Sequence, residues 1–338
     1  ILSAPLSDGG EGMSRILTEK LNGTQKQTIV TGPLDEQIEV SYGIIDVGKT
    51  AVMNVASVIG LPLVPPEKRN PLKTVTHGIG ELIKIILNEG VGKIIIGLGG
   101  SSTVDGGTGI VQALGAEFYD GDIRIEKMCG ASMLDVTGID MSEFDERIHG
   151  VQFIGACDVR SPLLGLEGAA YVYGPQKGAS PDQVMYLEKG LINIAKIITE
   201  VCNKDVSETP GAGAAGGIGA CMAGFFKAEL VLGIDLVIEL LNIEEMIKEA
   251  DLIFTGEGKF DSQTSAGKAV SGIVNLAKKY KKSVALIAGI VDPSADRDGL
   301  WKIESLVSDK VTPEIAMRDV IALIEKKAEK LLKKYINK

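Results

Sequence analysis

The feature that most constrains this chain is the run Lys93-Ile94-Ile95-Ile96-Gly97-Leu98 leading straight into Gly99-Gly100-Ser101-Ser102-Thr103-Val104-Asp105-Gly106-Gly107. A short, continuous apolar run bounded by glycines reads as a strand buried on both faces, an interior strand of a parallel sheet. Gly80 to Asn88, just before it, has helical spacing, so the two form a helix-then-parallel-strand unit. Open α/β sheets bind ligands beyond the carboxyl ends of their strands, where this loop would lie. Its glycines let backbone N–H groups approach an anion. Ser101, Ser102 and Thr103 add three hydroxyls, and Asp105 can hold Mg²⁺ or take a proton. The competing reading is a tight turn with Asp105 as a helix N-cap.

The same rhythm recurs along the chain. Ser14 to Leu21 fits a short helix. Gln37-Ile38-Glu39-Val40-Ser41-Tyr42 alternates as a half-buried strand of an antiparallel meander does. Ile154-Gly155-Ala156-Cys157 reads as another buried strand. Gln183 to Glu200 reads as a long helix behind the N-cap Ser180 and Pro181. Ser207 to Gly219 reads as a glycine-alanine loop. The last third alternates helix Ile243 to Glu249, strand Leu252 to Phe254, helix Val270 to Tyr280, strand Val284 to Ile287 and a closing helix, a parallel sheet covered by helices.

With 338 residues, 45% of them apolar, a large core can be buried in roughly two domains. The net charge of −10 and the lack of a basic face argue against nucleic acid; the Lys-rich tail, interleaved with Glu and Leu, reads as a solvated helix face. No apolar run approaches the roughly 18 residues that span a bilayer, and no signal-type segment opens the chain, so a soluble, cytoplasmic protein without a membrane partner is expected. Cys129, Cys157, Cys202 and Cys221 are scattered without a CxxC pair, which signals neither zinc nor disulfides. His77 and His149 receive no role. Ile1 stands first and drops into a polar, glycine-rich stretch, so further sequence is expected upstream.

Two literal motifs mislead. Gly43-Ile44-Ile45-Asp46-Val47-Gly48-Lys49-Thr50 spells a phosphate-binding P-loop, but the strand before it alternates instead of running apolar, so a hairpin turn at Asp46 to Lys49 is expected. Gly211-Ala212-Gly213-Ala214-Ala215-Gly216 spells GxGxxG after Ser207-Glu208-Thr209-Pro210, which is no strand. Three other loops have the character of an anion site with acidic groups: Ser7-Asp8-Gly9-Gly10-Glu11-Gly12, the stretch from Thr255 through Gly256, Glu257 and Gly258 to Asp261-Ser262-Gln263-Thr264, and Gly174-Pro175-Gln176-Lys177-Gly178.

Taken together, the chain resembles the bacterial glycerate kinase family, class I, over nearly its whole length. The resemblance rests on Asp8 to Gly12, Val64-Pro65-Pro66-Glu67-Lys68-Arg69-Asn70-Pro71-Leu72, Gly99 to Ser101 with Asp105 to Gly107, Ala156-Cys157-Asp158-Val159, Gly174 to Ala179, Pro210 to Gly217, and Gly256 to Gly258 with Asp261 to Thr264. It implies a two-domain α/β fold, with a Rossmann-like parallel-sheet domain (1–22 plus 235–338), an inserted mixed-sheet α/β domain (23–234) and an active site in the cleft between them. It implies ATP- and Mg²⁺-dependent phosphorylation of D-glycerate to 2-phosphoglycerate, with 3-phosphoglycerate as the alternative product and a homodimer as the assembly considered.

Under that resemblance Asp8, Asp105 and Lys177 are the expected catalytic residues, and Asp105 and Asp158 the expected Mg²⁺ ligands. Gly9, Gly10, Glu11, Gly99, Gly100, Ser101, Ser102, Thr103, Gly106, Gly213, Gly216, Glu257, Asp261 and Gln263 are expected to bind substrate or phosphate. The family's usual opening, a strand and a Ser-Phe-Lys loop, would lie before Ile1. Asn54-Val55 stands where the family usually shows Glu-Met, and Arg160-Ser161 where it commonly shows Asp-Asn, positions that bear on the acceptor. The rival classes are a nicotinamide oxidoreductase, whose strand-GxGxxG-helix context is missing, a nucleotide- or small-acid-binding protein without kinase activity, and a kinase for a related hydroxy acid.

Overall fold

The computed structural model describes residues 1–261 and 269–337. The chain divides into two compact units, Pro5–Leu236 and Val237–Lys338 with Ile1–Ala4.

In the larger unit, α1 (Met13–Lys20) precedes β1 (Thr24–Thr31), β2 (Gln37–Ile45) and β3 (Thr50–Asn54), then α2 (Val55–Ile59), α3 (His77–Leu87), β4 (Lys93–Gly97) and α4 (Thr108–Ala113). After these come β5 (Glu117–Asp120), β6 (Ile123–Arg124), β7 (Gly138–Asp140), β8 (Gln152–Cys157), α5 (Ala169–Tyr173), α6 (Pro181–Cys202), α7 (Ala214–Phe225), β9 (Glu229–Leu232) and α8 (Gly233–Leu240), within which the division of the chain falls. The main sheet runs β1-β2-β3-β4-β8-β9. Its first three strands pair antiparallel, and β3, β4, β8 and β9 run parallel to one another. The chemistry of the strands follows this layout. In β2 the polar Gln37 and Glu39 face solvent while Val40 and Tyr42 are buried, whereas Ile94, Ile95 and Ile96 in β4 are no more than 1% exposed. A small separate sheet runs β6-β5-β7. The long helix α6 is fixed at its start by a capping box between Ser180 and Gln183, with Pro181 in its first turn.

The smaller unit carries α9 (Ile243–Glu249), β10 (Leu252–Phe260), α10 (Ala269–Lys279), β11 (Ser283–Val291), β12 (Lys302–Ser305), α11 (Pro313–Arg318) and α12 (Val320–Ile336). Its sheet, β10-β11-β12, is parallel throughout. Val284, Leu286 and Ala288 pack towards Val270 and Val274 of α10, while Ala285 and Ile287 pack towards Ala316 and Leu331 of α11 and α12. Strand β11 is thereby buried on both faces by helices. The fold class is α/β, with one parallel sheet, one mixed sheet and one small antiparallel sheet among the described residues.

The turn at Asp46 to Lys49 joins the antiparallel strands β2 and β3, with Ile45 opposite Thr50. Asp46, Val47 and Gly48 are left-handed and Lys49 is exposed, so the P-loop string is a hairpin turn. The observed units differ from the expected division at the N-terminus: residues 5–22 fall in the larger unit, because α1 packs on β1, β2 and β3. The loop expected from Ser207 to Gly219 also differs, since α7 is entered at Ala214 through the left-handed residues Ala215, Gly216 and Gly217 (φ 53°, 72° and 96°). Strands β5, β6, β7 and β9 are too short or too mixed in composition to announce themselves. Among the described residues no helix is long and apolar enough to cross a membrane.

Candidate active site

The parallel strands β3, β4, β8 and β9 end at Asn54, Gly97, Cys157 and Leu232, and their carboxyl ends share one edge of the sheet. The loop Asp8-Gly9-Gly10 lies across this edge. Gly9 is left-handed (φ 97°), and a Cβ on it would stand 2.7 Å from the Ala156 carbonyl oxygen at the end of β8. The Gly99 N–H donates to the Gly9 carbonyl at 3.4 Å, and a Cβ on Gly99 would meet Gly10 Cα at 2.8 Å. A Cβ on Gly233, just beyond β9, would collide with the Asp8 carbonyl. Glycine is required at Gly9 by both its conformation and its neighbour. Asp8 is half-buried, its Oδ1 accepting from the Gly10 N–H at 3.3 Å, and Glu11 is exposed.

Asn54 holds this loop from below. Its Nδ2 donates to the Gly10 carbonyl at 2.5 Å, and its Oδ1 accepts from the Ser14 N–H at 2.8 Å. Helix α1 follows Gly12 and has no side-chain cap of its own, so Asn54 supplies a partner for one of its first amides. Asn54 lies opposite Gly97 in the sheet, and a Cβ at Gly97 would stand 2.5 Å from Asn54 Nδ2 and 2.5 Å from the Gly9 carbonyl.

Beyond β4, the segment from Gly99 to Gly107 turns from the sheet edge into the interior. Gly100 is exposed and left-handed, whereas Ser101 to Gly107 are buried. The Ser102 hydroxyl donates to the Ile59 carbonyl at 2.9 Å, and the Ser102 carbonyl accepts from Thr74 Oγ1 at 3.1 Å, so Ser102 ties the segment to its surroundings. Lys177, on the short 3₁₀ turn Pro175–Lys177, is 3% exposed; its ammonium donates to Ser101 Oγ at 2.8 Å and to the Thr103 carbonyl at 2.7 Å. Thr103 Oγ1 is buried without a partner among the described residues.

Asp105 is fully buried. Its Oδ2 accepts from the Thr76 hydroxyl at 2.7 Å and the Thr76 N–H at 3.2 Å, and its Oδ1 accepts from the Gly107 N–H at 3.0 Å. Burial pushes the Asp105 carboxyl up to about 6, against the pull of these hydrogen bonds and of the Lys177 charge. Burial pushes the Lys177 ammonium down to about 7, with the Asp105 charge opposing. The two groups support each other's ionised forms in a layer that excludes water.

The remaining expected residues divide into three places. Asp158 follows β8 at the sheet edge and is half-buried, and beside it burial and the Asp158 charge push the Cys157 thiol up to about 11. Gly106 donates its N–H to the Gly216 carbonyl at 3.1 Å, and a Cβ on Gly216 would collide with the Thr103 carbonyl. Gly213 donates to the Ser161 carbonyl at 3.1 Å and is closed in by the Pro162 carbonyl. Gly106, Gly213 and Gly216 therefore interlock two buried loops. Glu257 and Asp261 belong to the smaller unit, on and just past β10; Gln263 lies outside the described residues.

The edge thus gathers Asp8, Gly9, Gly10, Gly99, Gly100 and Asp158, with Ser101, Ser102, Thr103, Asp105 and Lys177 in the layer behind. Sequence reasoning noted Asn54 only as a departure from the family's usual pattern, bearing on the acceptor, and assigned no role to Thr76 or Gly97. A polar Asn closing the otherwise apolar Ala51-Val52-Met53 was the signal for Asn54.

The model of the glycerate kinase family matches residues 1–336. The chain is 46% identical over 288 residues to the glycerate 2-kinase of Escherichia coli (strain K12), covering 85% of this chain and 76% of that protein. It is 41% identical over 330 residues to the glycerate kinase of Halalkalibacterium halodurans, covering 97% and 87%. A crystal structure from Salmonella typhimurium LT2 assigned to glycerate kinase 2 superimposes with a TM-score of 0.81 at 39% identity, over 97% of this chain and 90% of that one.

Proposed function

Because the chain belongs to the glycerate kinase family, we propose that it transfers the γ-phosphoryl group of ATP to D-glycerate, giving 2-phosphoglycerate and ADP in a cytoplasmic setting. The observation that carries this reading is the gathering of the Asp8 loop, the Gly99–Ser101 turn and Asp158 at the carboxyl edge of parallel strands. Phosphoryl transfer asks a protein mainly for positioning and for neutralisation of charge. Asp8, half-buried on a loop whose shape is fixed by glycine packing, is the group proposed to orient the attacking hydroxyl. Gly100 permits close approach of a phosphate to the backbone.

Lys177 contributes in a specific way. Its ammonium donates to Ser101 Oγ, so the Ser101 proton is free to be offered elsewhere, and a positive charge sits behind the Gly99–Ser101 turn where negative charge would gather. Asp105 sustains that charge from the interior.

Mg²⁺, when bound, would neutralise phosphate charge. Among the described residues no group of three His, Cys, Asp or Glu side chains is arranged to hold a metal. That suits a Mg²⁺ ion that keeps water and takes one or two carboxylates plus the nucleotide's own phosphates. Asp105 does not fit as a ligand, since it is fully buried and both oxygens already accept hydrogen bonds. Asp158, at the edge, fits as the single carboxylate. Glu257 and Asp261 are proposed to bind substrate or phosphate, the role also expected of Gln263, which lies outside the described residues.

The test is ADP release by the full-length protein over a panel of short hydroxy acids, with and without Mg²⁺, with the phosphorylated position read by NMR. Turnover with D-glycerate, lost on Mg²⁺ removal and yielding the 2-phosphate, is the expected result. No ADP above background with glycerate would overturn the proposal.

A further inference from the structure

We infer that Asn54 is a positioning residue for catalysis: by bridging the Gly10 carbonyl and the Ser14 amide it sets the pose of Asp8 over the strand ends. The inference rests on the reading of this edge as the phosphoryl-transfer site.

The geometry assigns Asn54 two jobs that one carboxamide can perform together. Nδ2 donates to Gly10 at 2.5 Å, and Oδ1 accepts from Ser14 at 2.8 Å. Asn54 is 4% exposed, so neither partner can be replaced cheaply by water. The bridge has support on every side. Ser14 Oγ donates to the Val52 carbonyl at 2.7 Å, and Ser57 Oγ donates to the Asn54 carbonyl at 2.7 Å. Gly97, without a side chain, leaves the space through which the Asn54 amide reaches the loop. The loop's other hydrogen bonds are longer: 3.4 Å from the Gly99 N–H to Gly9, 3.4 Å from the Met13 N–H to the same Gly10 carbonyl, and 3.3 Å from the Gly10 N–H to Asp8 itself. The Gly10 N–H binds the Asp8 carboxylate while the Gly10 carbonyl is held by Asn54. Gly10 thus links the strand-end amide to the acidic group through one residue.

Asn54→Asp isolates the donor half of the bridge. A carboxyl group still accepts from Ser14 in either state, but it donates to the Gly10 carbonyl only when protonated, and as a carboxylate it turns an oxygen towards that carbonyl. Activity of the variant relative to the parent protein should therefore fall as pH rises through the new carboxyl's titration. The charged groups facing this region, Asp8 and Glu11 on the loop, Asp158 beyond β8 and the Asp105–Lys177 pair, are present in both proteins, so the comparison isolates the substitution. A merely structural Asn54 would move the melting temperature without moving this ratio, because kinetics are taken per folded molecule well below the melt.

The experiment measures kcat and KM for Asn54→Asp and the parent from pH 5 to 9, with hydrogen exchange over residues 8–14 at each pH as a readout independent of turnover. The expected result is a variant near parental kcat at pH 5, reduced about tenfold or more by pH 8, the scale of one buried hydrogen bond left unmade. Exchange at residues 8–14 should accelerate over the same interval. A pH-independent ratio together with unchanged exchange overturns the inference. Should Asn54→Asp not fold, Asn54→Ser, too short to span both contacts, carries the test, and parental kcat with parental exchange again overturns it. A parent protein that fails to phosphorylate glycerate sinks the functional reading alone, since the exchange measurement still decides whether Asn54 holds the loop.

Discussion

Lys177 Nζ donates to Ser101 Oγ at 2.8 Å, joining two residues 76 positions apart. A lysine on an exposed-looking glycine turn is in fact buried, with its charge delivered to the back of the loop beyond β4. The serine hydroxyl becomes the outlet for that charge: with its oxygen engaged by the ammonium, its hydrogen has to point towards another acceptor.

Lys177→Ala and Lys177→Arg are both expected to lose activity mainly in kcat, by about a hundredfold, the scale of a lost transition-state donor. Arg fails because a wide planar fork cannot occupy a site shaped for a point charge. Ser101→Ala should reproduce part of the loss, and the double variant should lose less than the sum, because the two residues act as one unit. Steady-state kinetics of the three single variants and the Lys177→Ala/Ser101→Ala pair check this; unchanged kcat in both Lys177 variants would make the lysine structural alone.

The buried pair also sets a pH dependence of stability. Asp105 titrates near 6 when folded, above its ordinary value of 3.8, so between those limits the folded protein holds a proton the unfolded chain has released, and this group's contribution falls as pH rises. Lys177 titrates near 7 when folded and 10.5 when free, so from 7 upward the unfolded chain holds more protons and its contribution rises. Lys177→Met, which strands Asp105, should cost about 3 kcal/mol at pH 7 and clearly less at pH 5, where Asp105 carries a proton. Adding Asp105→Asn should restore much of the loss. Denaturant unfolding at both pH values measures it, and an equal cost at pH 5 and 7 would show that Asp105 charge is not the cause.

Gly97→Ala should damage the edge with little backbone strain. The added methyl would stand 2.5 Å from both Asn54 Nδ2 and the Gly9 carbonyl. We expect a loss of about 1–3 kcal/mol in stability and a fall in kcat/KM larger than the stability loss explains. Gly92→Ala is the control, since nothing lies within 4 Å of its Cβ position. Parental kinetics in Gly97→Ala would show that the loop tolerates displacement.

How much of this was legible in the sequence depends on the range of the interaction. Strand β4 could be read from its own five residues, and the hairpin at Asp46 to Lys49 from the alternation beside it, because burial and turn chemistry are local signals. The Asp8 loop and the Gly99 loop could be picked out as site material because each combines glycines with polar groups. What each residue does there could not be read. Asp105 looks like a metal ligand until Thr76, 29 positions earlier, is seen to occupy one of its oxygens. Gly213 and Gly216 look like phosphate-binding glycines, yet their missing side chains are explained by the Pro162 and Thr103 carbonyls packed against them. Asn54 is marked in the sequence only by its polarity and by its departure from the family's usual residue, and its two partners come from the first fifteen residues.

The docking of the Asp8 carbonyl beside Gly233 has a consequence for biosynthesis. The loop that carries Asp8 is completed by a residue made more than two hundred positions later, after β9 has closed on β8. Local hairpins such as β1-β2 can form while the chain is still being made, but the edge that receives Asp8 cannot exist until the last strand of the sheet is in place. A nascent or truncated chain ending before Gly233 would therefore expose an acidic glycine loop with nothing to seat it.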